Sequence, residues 1–522
     1  MNTANSYTVT VAVIVALGGF LMGFDASVIS GVVGFIETEF SLSRIELGWS
    51  VASLTLTATL AMMVAGPISD RVGRRPVLMA AAALFAVSAV YSALAPDFVA
   101  LVIARMIGGF GVGAALIIAP MYIAEIAPPK VRGRMVSFNQ LNIVLGISVA
   151  FFSNYLILRL GRSGAEWAEA LHLGEWAWRW MLGVEGLPAL LYFLALLFVP
   201  ESPRWLAMHG RRDEALRVFE KVGDSASAAA NLAEVERSLA DTAGAEAASV
   251  RQLFTPAMRL VLTIGISVAI LQQITGINSV FFYAPMIFEQ SGVGTDASFL
   301  QAVLVGIVNL VFTVAAMSLI DRLGRRPLLG IGLSGIAICM FLLSFGFGSA
   351  NYSLSGDAVA ALPANIDSAS LEPLIDEEFG SDVEFRKAVS AAIGAEAYRQ
   401  HESQLVKAAV ELNTSLILFA ILGFVASFAI SLGPVMWVLF SELFPNQLRG
   451  LAISFAGLIN SAVSFGVQLL FPWELENLGS SMTFMIYGGF ALAGLVLVLR
   501  ILPETKGRSL EELEDALVRK RQ

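Results

Sequence analysis

Apolar runs of twenty or so residues, broken by short charged loops, recur along the whole chain. A helix needs about 20 residues to cross a hydrocarbon layer of about 30 Å. On that measure the pattern predicts twelve spans. The first six fall at about 9–33, 49–69, 77–95, 98–123, 137–159 and 180–199. The second six fall at about 257–286, 299–320, 328–349, 409–440, 450–471 and 480–502. Gly and Pro recur inside them, as in GGFGVGAALIIAP at 108–120. A bundle of helices tolerates such residues because neighbours satisfy the freed backbone groups. The expected class is therefore all-α, a polytopic membrane protein.

Composition agrees: 57% of the 522 residues are hydrophobic and 14% are charged, against about 25% charged in soluble domains. The single cysteine, Cys339, lies in an apolar run, so no intrachain disulfide can form. The formal charge of -9 is unevenly spread, with ten Asp and Glu against three Lys and Arg between 350 and 405. No basic surface suited to nucleic acid is expected. The first run is too long for a signal-peptide core, has no basic start and contains Asp25, so it is read as a span.

Short-loop charge sets the expected orientation. Arg71, Arg74 and Arg75 follow span 2, Lys130, Arg132 and Arg134 follow span 4, and Arg322, Arg325 and Arg326 follow span 8. The positive-inside rule makes these loops and both termini cytoplasmic. The acidic 350–405 insert then lies outside, with partial helix near 384–405 and some mobility expected. The expected domains are a six-helix bundle over 1–200, a cytoplasmic helical linker over 201–256, and a second bundle over 257–522 with a tail from 503.

The halves repeat. DRVGRRP (70–76) returns as DRLGRRP (321–327). PMYIAEIAPPKVRG (120–133) matches WVLFSELFPNQLRG (437–450), each with a Glu followed three residues on by Pro and seven on by Arg-Gly. PESPR (200–204) answers PETKGR (503–508). A cytoplasmic gate is expected from Asp70, Arg71, Glu125 and Arg132 in one half and Asp321, Arg322, Glu442 and Arg449 in the other. Pairs among them would hold the halves together on that side; the alternative is that the arginines only anchor spans at the headgroups. A duplicated bundle with matching latches suits alternating access.

Within the spans, polar residues mark candidate chemistry. An Asp at mid-bilayer costs about 2.5–3.5 kcal/mol, so Asp25 should face protein or water, with Arg105 of span 4 as partner. Such a pair serves proton coupling or a fixed structural bridge. Span 7 carries LQQITGINSVFFYAP (271–285), in which Gln272 and Gln273 are adjacent, so one faces inward while the other turns aside. With Asn278, Asn309 and Asn460 they supply uncharged donors and acceptors suited to a neutral, hydroxyl-rich solute, or they tie helices together. Trp437 offers a flat apolar face. Tyr122 and Tyr283 either line the path or sit at the interface. Gly109, Gly111 and Gly113 follow no strand and are read as helix packing, not a nucleotide loop. No HExxH, GxSxG or P-loop occurs, and His172, His209 and His401 fall in expected loops. Neither a cofactor, a metal site nor enzyme chemistry is expected.

In combination, DRVGRRP, PMYIAEIAPPKVRG, PESPRW (200–205), QQITGIN (272–278), DRLGRRP, GPVMWVLFSELFP (433–445) and PETKG (503–507) resemble the sugar porter family of the major facilitator superfamily. The resemblance implies two pseudo-symmetric six-helix bundles and transport of a neutral hexose or pentose. It implies sugar contacts at Gln272, Gln273, Asn278, Asn309, Trp437 and Asn460, with aromatic lining or gating at Phe24, Phe282 and Tyr283. Asp25 and Arg105 match the pattern of bacterial proton-coupled members, so a symporter of the inner membrane, active as a monomer, is expected. Ile147 and Ser461 depart from the family's usual glutamine and tryptophan and weaken the hexose or pentose default. Passive uniport, polyol or inositol symport, and a non-transporting sensor are the alternatives.

Overall fold

The computed structural model describes residues 6–128, 131–222, 225–243, 249–363, 366–445, 447–508 and 512–513. Among the described residues, twelve helices are long and apolar enough to cross a membrane. Spans 1 to 6 are Ser6–Gly31, Arg44–Val72, Arg74–Ala93, Phe98–Ile126, Met135–Gly161 and Ala177–Leu196. Spans 7 to 12 are Pro256–Phe282, Thr295–Leu323, Arg325–Gly348, Thr414–Leu443, Arg449–Asn477 and Gly479–Ile501. Every expected span is present, and several helices run a turn or more past the apolar stretch. Span 10 starts later than expected, because Ala409 to Glu411 belong to the insert.

The chain forms two compact units: Met1–Ser27, Ser53–Ala150 and Arg179–Ser249 in one, Val28–Ala52, Phe151–Trp178 and Val250–Gln522 in the other. At the face opposite the DRxGRRP loops, the ends of spans 1, 2 and 5 therefore group with the second half's helices. Small residues let helices touch backbone to backbone. In span 4 a Cβ on Gly109 would stand 2.3 Å from the Leu54 carbonyl, and one on Gly113 would stand 2.2 Å from that of Ala58. The glycine run is helix packing, as its position in an apolar run implied.

The linker helices Pro203–Met208 and Arg212–Val222 dock on the first unit. Trp205 Nε1 donates to the Asp70 carbonyl at 2.9 Å, and Thr8 Oγ1 to that of Val222 at 2.6 Å. The insert is more ordered in its packing than a polar, acidic stretch suggested. Strands Asn351–Tyr352 and Val410–Glu411 pair antiparallel at its base. Helices Asp382–Ile393 and Ala395–Ala409 follow, divided at Gly394, whose φ of +92° only glycine adopts freely. Tyr352, Leu371, Phe385, Val389, Tyr398 and Leu405 form its own apolar core. His401 lies on the second of these helices, not in a loop.

Candidate functional site

Span 1 buries Asp25, and Arg105 of span 4, equally buried, faces it. Arg105 Nη1 donates to Asp25 Oδ1 at 2.6 Å and to the Asp25 carbonyl at 2.9 Å. Gly108 clears the space, since a Cβ there would stand 2.6 Å from Asp25 Oδ2. That second oxygen has no hydrogen-bond partner, and neither has Arg105 Nε. The expected pair is present, and one carboxylate oxygen is left open. Phe24 is buried beside it, its ring 6.1 Å from that of Phe20.

A third ionisable group belongs to this cluster and was not anticipated. Glu185 of span 6 is buried, its Oε1 lacks a partner, and its charge interacts with both Asp25 and Arg105. The signal was available: VEGLPALL (184–191) sets an acid inside an apolar run, at the same insertion cost as Asp25.

The second half carries amides instead. Span 7 is a broken helix: residues up to Ile274 are helical, Gly276 takes φ +90°, and a short helix resumes at Ile277. The break folds Asn278 back so that its Nδ2 donates to Gln273 Oε1 at 2.8 Å. Gln272 and Gln273 do not turn to different sides; both are buried and both engage Asn460 of span 11. Asn460 Nδ2 donates to Gln272 Oε1 at 2.8 Å, and Gln273 Nε2 donates to Asn460 Oδ1 at 3.2 Å. Asn278 Nδ2 also reaches Ser464 Oγ at 2.7 Å, which accepts from Gln468 Nε2 at 2.7 Å. Tyr283 is fully buried, its hydroxyl donating to the Gln468 carbonyl at 3.0 Å. Ser464 and Gln468 extend the chain one and two turns beyond Asn460, a continuation that i, i+4 spacing offered and the sequence reading passed over.

Asn309 is buried in span 8 and stands apart from this chain of bonds. Trp437 is 44% exposed, edge-on to Phe440 at 5.9 Å. Phe282 is buried next to Tyr283. Tyr122 is buried and donates to the Pro200 carbonyl at 2.7 Å, fastening the PESPR segment.

The repeated motifs assemble the same square in each half. In the first, Arg74 Nε and Nη2 make a bidentate pair with Glu125, both at 3.1 Å, and Nη1 meets Asp70 at 2.8 Å. Glu201 accepts from the Arg74 N–H at 3.0 Å and so caps span 3, while Ser202 Oγ donates to Glu125 at 2.5 Å. In the second, Arg325 pairs with Glu442 at 2.7 Å and Asp321 at 3.3 Å. Glu504 caps span 9 at 3.1 Å, and Thr505 Oγ1 donates to Glu442 at 2.6 Å. Gly73 at φ +106° and Gly324 at φ +93° leave room for the capping acids. The pairing arginines are Arg74 and Arg325; Arg71 and Arg322, expected in the gate, lie exposed. Arg449 Nε donates to the Phe444 carbonyl at 3.2 Å. Arg132 opens the helix of span 5, and its side chain lies outside the described residues. The pairs brace spans within each half, whereas links from half to half were expected.

Comparison with known proteins follows the same lines. The family model described as "Sugar (and other) transporter" matches residues 11–362 and 388–517. An arabinose-proton symporter of Bacillus subtilis (strain 168) is 35% identical over 508 residues, covering 97% of this chain and 94% of that protein. A D-xylose-proton symporter of Escherichia coli (strain K12) is 34% identical, covering 98% and 97%. The solved inward-open conformation of the xylose transporter XylE from E. coli matches with a TM-score of 0.74 at 32% identity, over 98% of this chain and 100% of that one.

Proposed function

This chain belongs to the sugar (and other) transporter family, and on that premise we propose that it imports a neutral monosaccharide together with a proton by alternating access. Its relatives are transporters, and it acts as a carrier and not as an enzyme. The orientation follows the positive-inside rule: the DRxGRRP loops and both termini are cytoplasmic, and the insert is outside. The protein sits in the bacterial inner membrane and works as a monomer.

The observation that carries the coupling is the buried Asp25–Arg105 pair with its open carboxylate oxygen. Facing outward, Asp25 takes a proton at that oxygen, and its hold on Arg105 weakens. Glu185 is the neighbouring acid able to share or relay that charge. The amides of Gln272, Gln273, Asn278 and Asn460 bond to one another, and sugar hydroxyls exchange for those bonds. Recognition then costs few unpaired polar groups, and a wrong solute leaves several. Asn309, Trp437, Phe24 and Tyr283 complete the sugar path. The squares around Arg74 and Arg325, with Asp70, Asp321, Glu125 and Glu442, rearrange when the cytoplasmic side opens or shuts. Sugar binding drives closure, and the proton gives direction.

Uptake in proteoliposomes, with and without an imposed proton gradient, tests this against a panel of hexoses, pentoses and polyols. We expect gradient-driven accumulation of one class. Asp25→Asn is expected to abolish accumulation while leaving downhill exchange; accumulation surviving in that variant would show coupling through another route or passive uniport.

A further inference from the structure

The segment between spans 1 and 2 carries two charges that a membrane-face turn does not need. Glu37 and Arg44 are both buried, and Arg44 is the first residue of the span 2 helix. Arg44 Nη1 meets Glu37 Oε1 at 2.6 Å, and Nη2 meets Glu402 Oε2 at 2.8 Å. Glu402 belongs to the second long helix of the insert, 358 positions away in sequence. Its other oxygen faces Arg386 of the preceding helix at 3.4 Å. Glu476 at the end of span 11 stands 3.9 Å from Arg44 Nε. Arg399 of the insert donates to the Leu42 carbonyl at 3.3 Å, just before span 2. Glu37, Arg44, Glu402 and Arg386 thus alternate through one largely buried cluster, with Glu476 and Arg399 at its edge.

The insert is itself anchored on the second half. Asp382 Oδ2 accepts from the Ser480 N–H at 2.9 Å and caps span 12. Arg386 Nη1 donates to the Leu475 carbonyl at 3.4 Å. One end of the insert is therefore fixed to spans 11 and 12, and the other grips the turn that joins spans 1 and 2. Glu37 and Glu402 also line a cavity of about 420 Å³, together with Ser30, Glu289, Arg399 and His401. The family model passes over residues 363 to 387, where Asp382 and Arg386 lie.

We propose that the insert is an outer clasp: the Glu37–Arg44–Glu402–Arg386 cluster holds the span 1–2 turn against the second half and must come apart before the outer side can open. A buried ionic cluster suits this use. Removing one partner strands a charge, so the closed arrangement is strongly preferred only while every member is in place. Opening exposes all members to water together, which repays the separation and makes the transition two-state. The clasp therefore sets the resting population of outward-open carrier. The proposal takes from the preceding section only the orientation of the chain, not the identity of the solute or the coupling.

The test uses the full chain in a Cys339→Ser, Ser30→Cys background. Ser30 is buried at the outer end of span 1, so a membrane-impermeant maleimide reaches it from outside only when that side opens. In intact cells, without sugar, Glu402→Gln is expected to raise the labelling rate by about tenfold or more, as a two-state balance shifts when a buried pair loses one member. Arg44→Lys, which keeps the charge, should raise it much less. An unchanged rate in Glu402→Gln, with thermal unfolding of the purified protein also unchanged, overturns the clasp. If Glu402→Gln unfolds the protein, Arg44→Gln serves instead, removing the partner that lies outside the insert; equal labelling there overturns it as well. Neither result bears on sugar uptake, which is read separately.

Discussion

The two halves share one scaffold and fill it differently. Each builds the same basic-face square, Arg74 with Glu125 and Glu201, Arg325 with Glu442 and Glu504. Inside the membrane they part: the first half buries Asp25, Arg105 and Glu185, and the second buries Gln272, Gln273, Asn278 and Asn460. Charges respond to a proton, and amides match a hydroxyl-rich solute without responding to one. In the proposed carrier, divergence of the two interiors lets one sense the ion while the other reads the substrate.

The division of labour makes unequal demands on stability. Arg105→Ala leaves two acids buried without their cation, and we expect a loss of about 3–5 kcal/mol, measured as unfolding of the purified carrier. Combining it with Asp25→Asn should recover part of that loss; no recovery would break the view of a matched pair. In the second half, Gln273→Ala removes bonds to Asn460 and Asn278. It should raise the sugar KM by about tenfold, the worth of about 1–3 kcal/mol of lost polar pairing, while the dependence of uptake on the proton gradient stays unchanged. A change in that dependence would blur the comparison.

Where the halves agree, variants should agree. Glu201→Gln and Glu504→Gln each weaken a helix cap worth about 1 kcal/mol, and both should lower stability by similar amounts. Buried charge also gathers at the outer end of the second unit, and there the expected effect is smallest. Burial pushes the Glu37 carboxyl up to about 7, with Arg44 and Arg399 opposing and Glu402 and Glu476 adding to the rise. Burial also pushes Glu289 up to about 7, facing Glu402, Glu37, Arg162 and the Thr295 hydroxyl. A carboxyl raised in the closed cluster holds its proton more tightly there than in water. Closure therefore gains at acid pH, and the gain is lost as pH rises through about 7. Glu402 acts with the opposite sign: against its burial, Arg44 and Arg386 hold it below the usual range. Labelling at Ser30→Cys, normalised at each pH to that of a free thiol so that the loss of thiolate cancels, should slow by about threefold between external pH 7 and 5, two groups outweighing one. Faster labelling in acid would reverse the assignment.

Much of this was legible from the pattern of residues. The twelve spans follow from apolar length alone, and the Asp25–Arg105 pair follows from the cost of an unpaired charge in hydrocarbon. The repeats announced the squares but not their corners. In DRxGRRP a positive-φ glycine parts two helices, so Arg71 and Arg322, in the last turn of one, stay exposed while Arg74 and Arg325, first in the next, turn inward, a break that spacing alone does not show. Glu185 carried the same signal as Asp25 and went unread because its span was judged by its apolar length. The insert was the least legible part, since its core draws on Tyr352, Phe385 and Leu405, residues scattered among many charges.

The glycines of the two basic-face loops have a wider consequence. A Cβ on Gly73 would stand 2.3 Å from Glu201, and one on Gly324 would stand 2.8 Å from Glu504. Each loop is thus keyed to an acid on a distant segment, 128 positions from Gly73 to Glu201 and 180 from Gly324 to Glu504. The seven-residue signature is only half of a joint. A chimera that borrows the loop without its distant acid inherits a helix start with an empty socket, so the two pieces must be transplanted together.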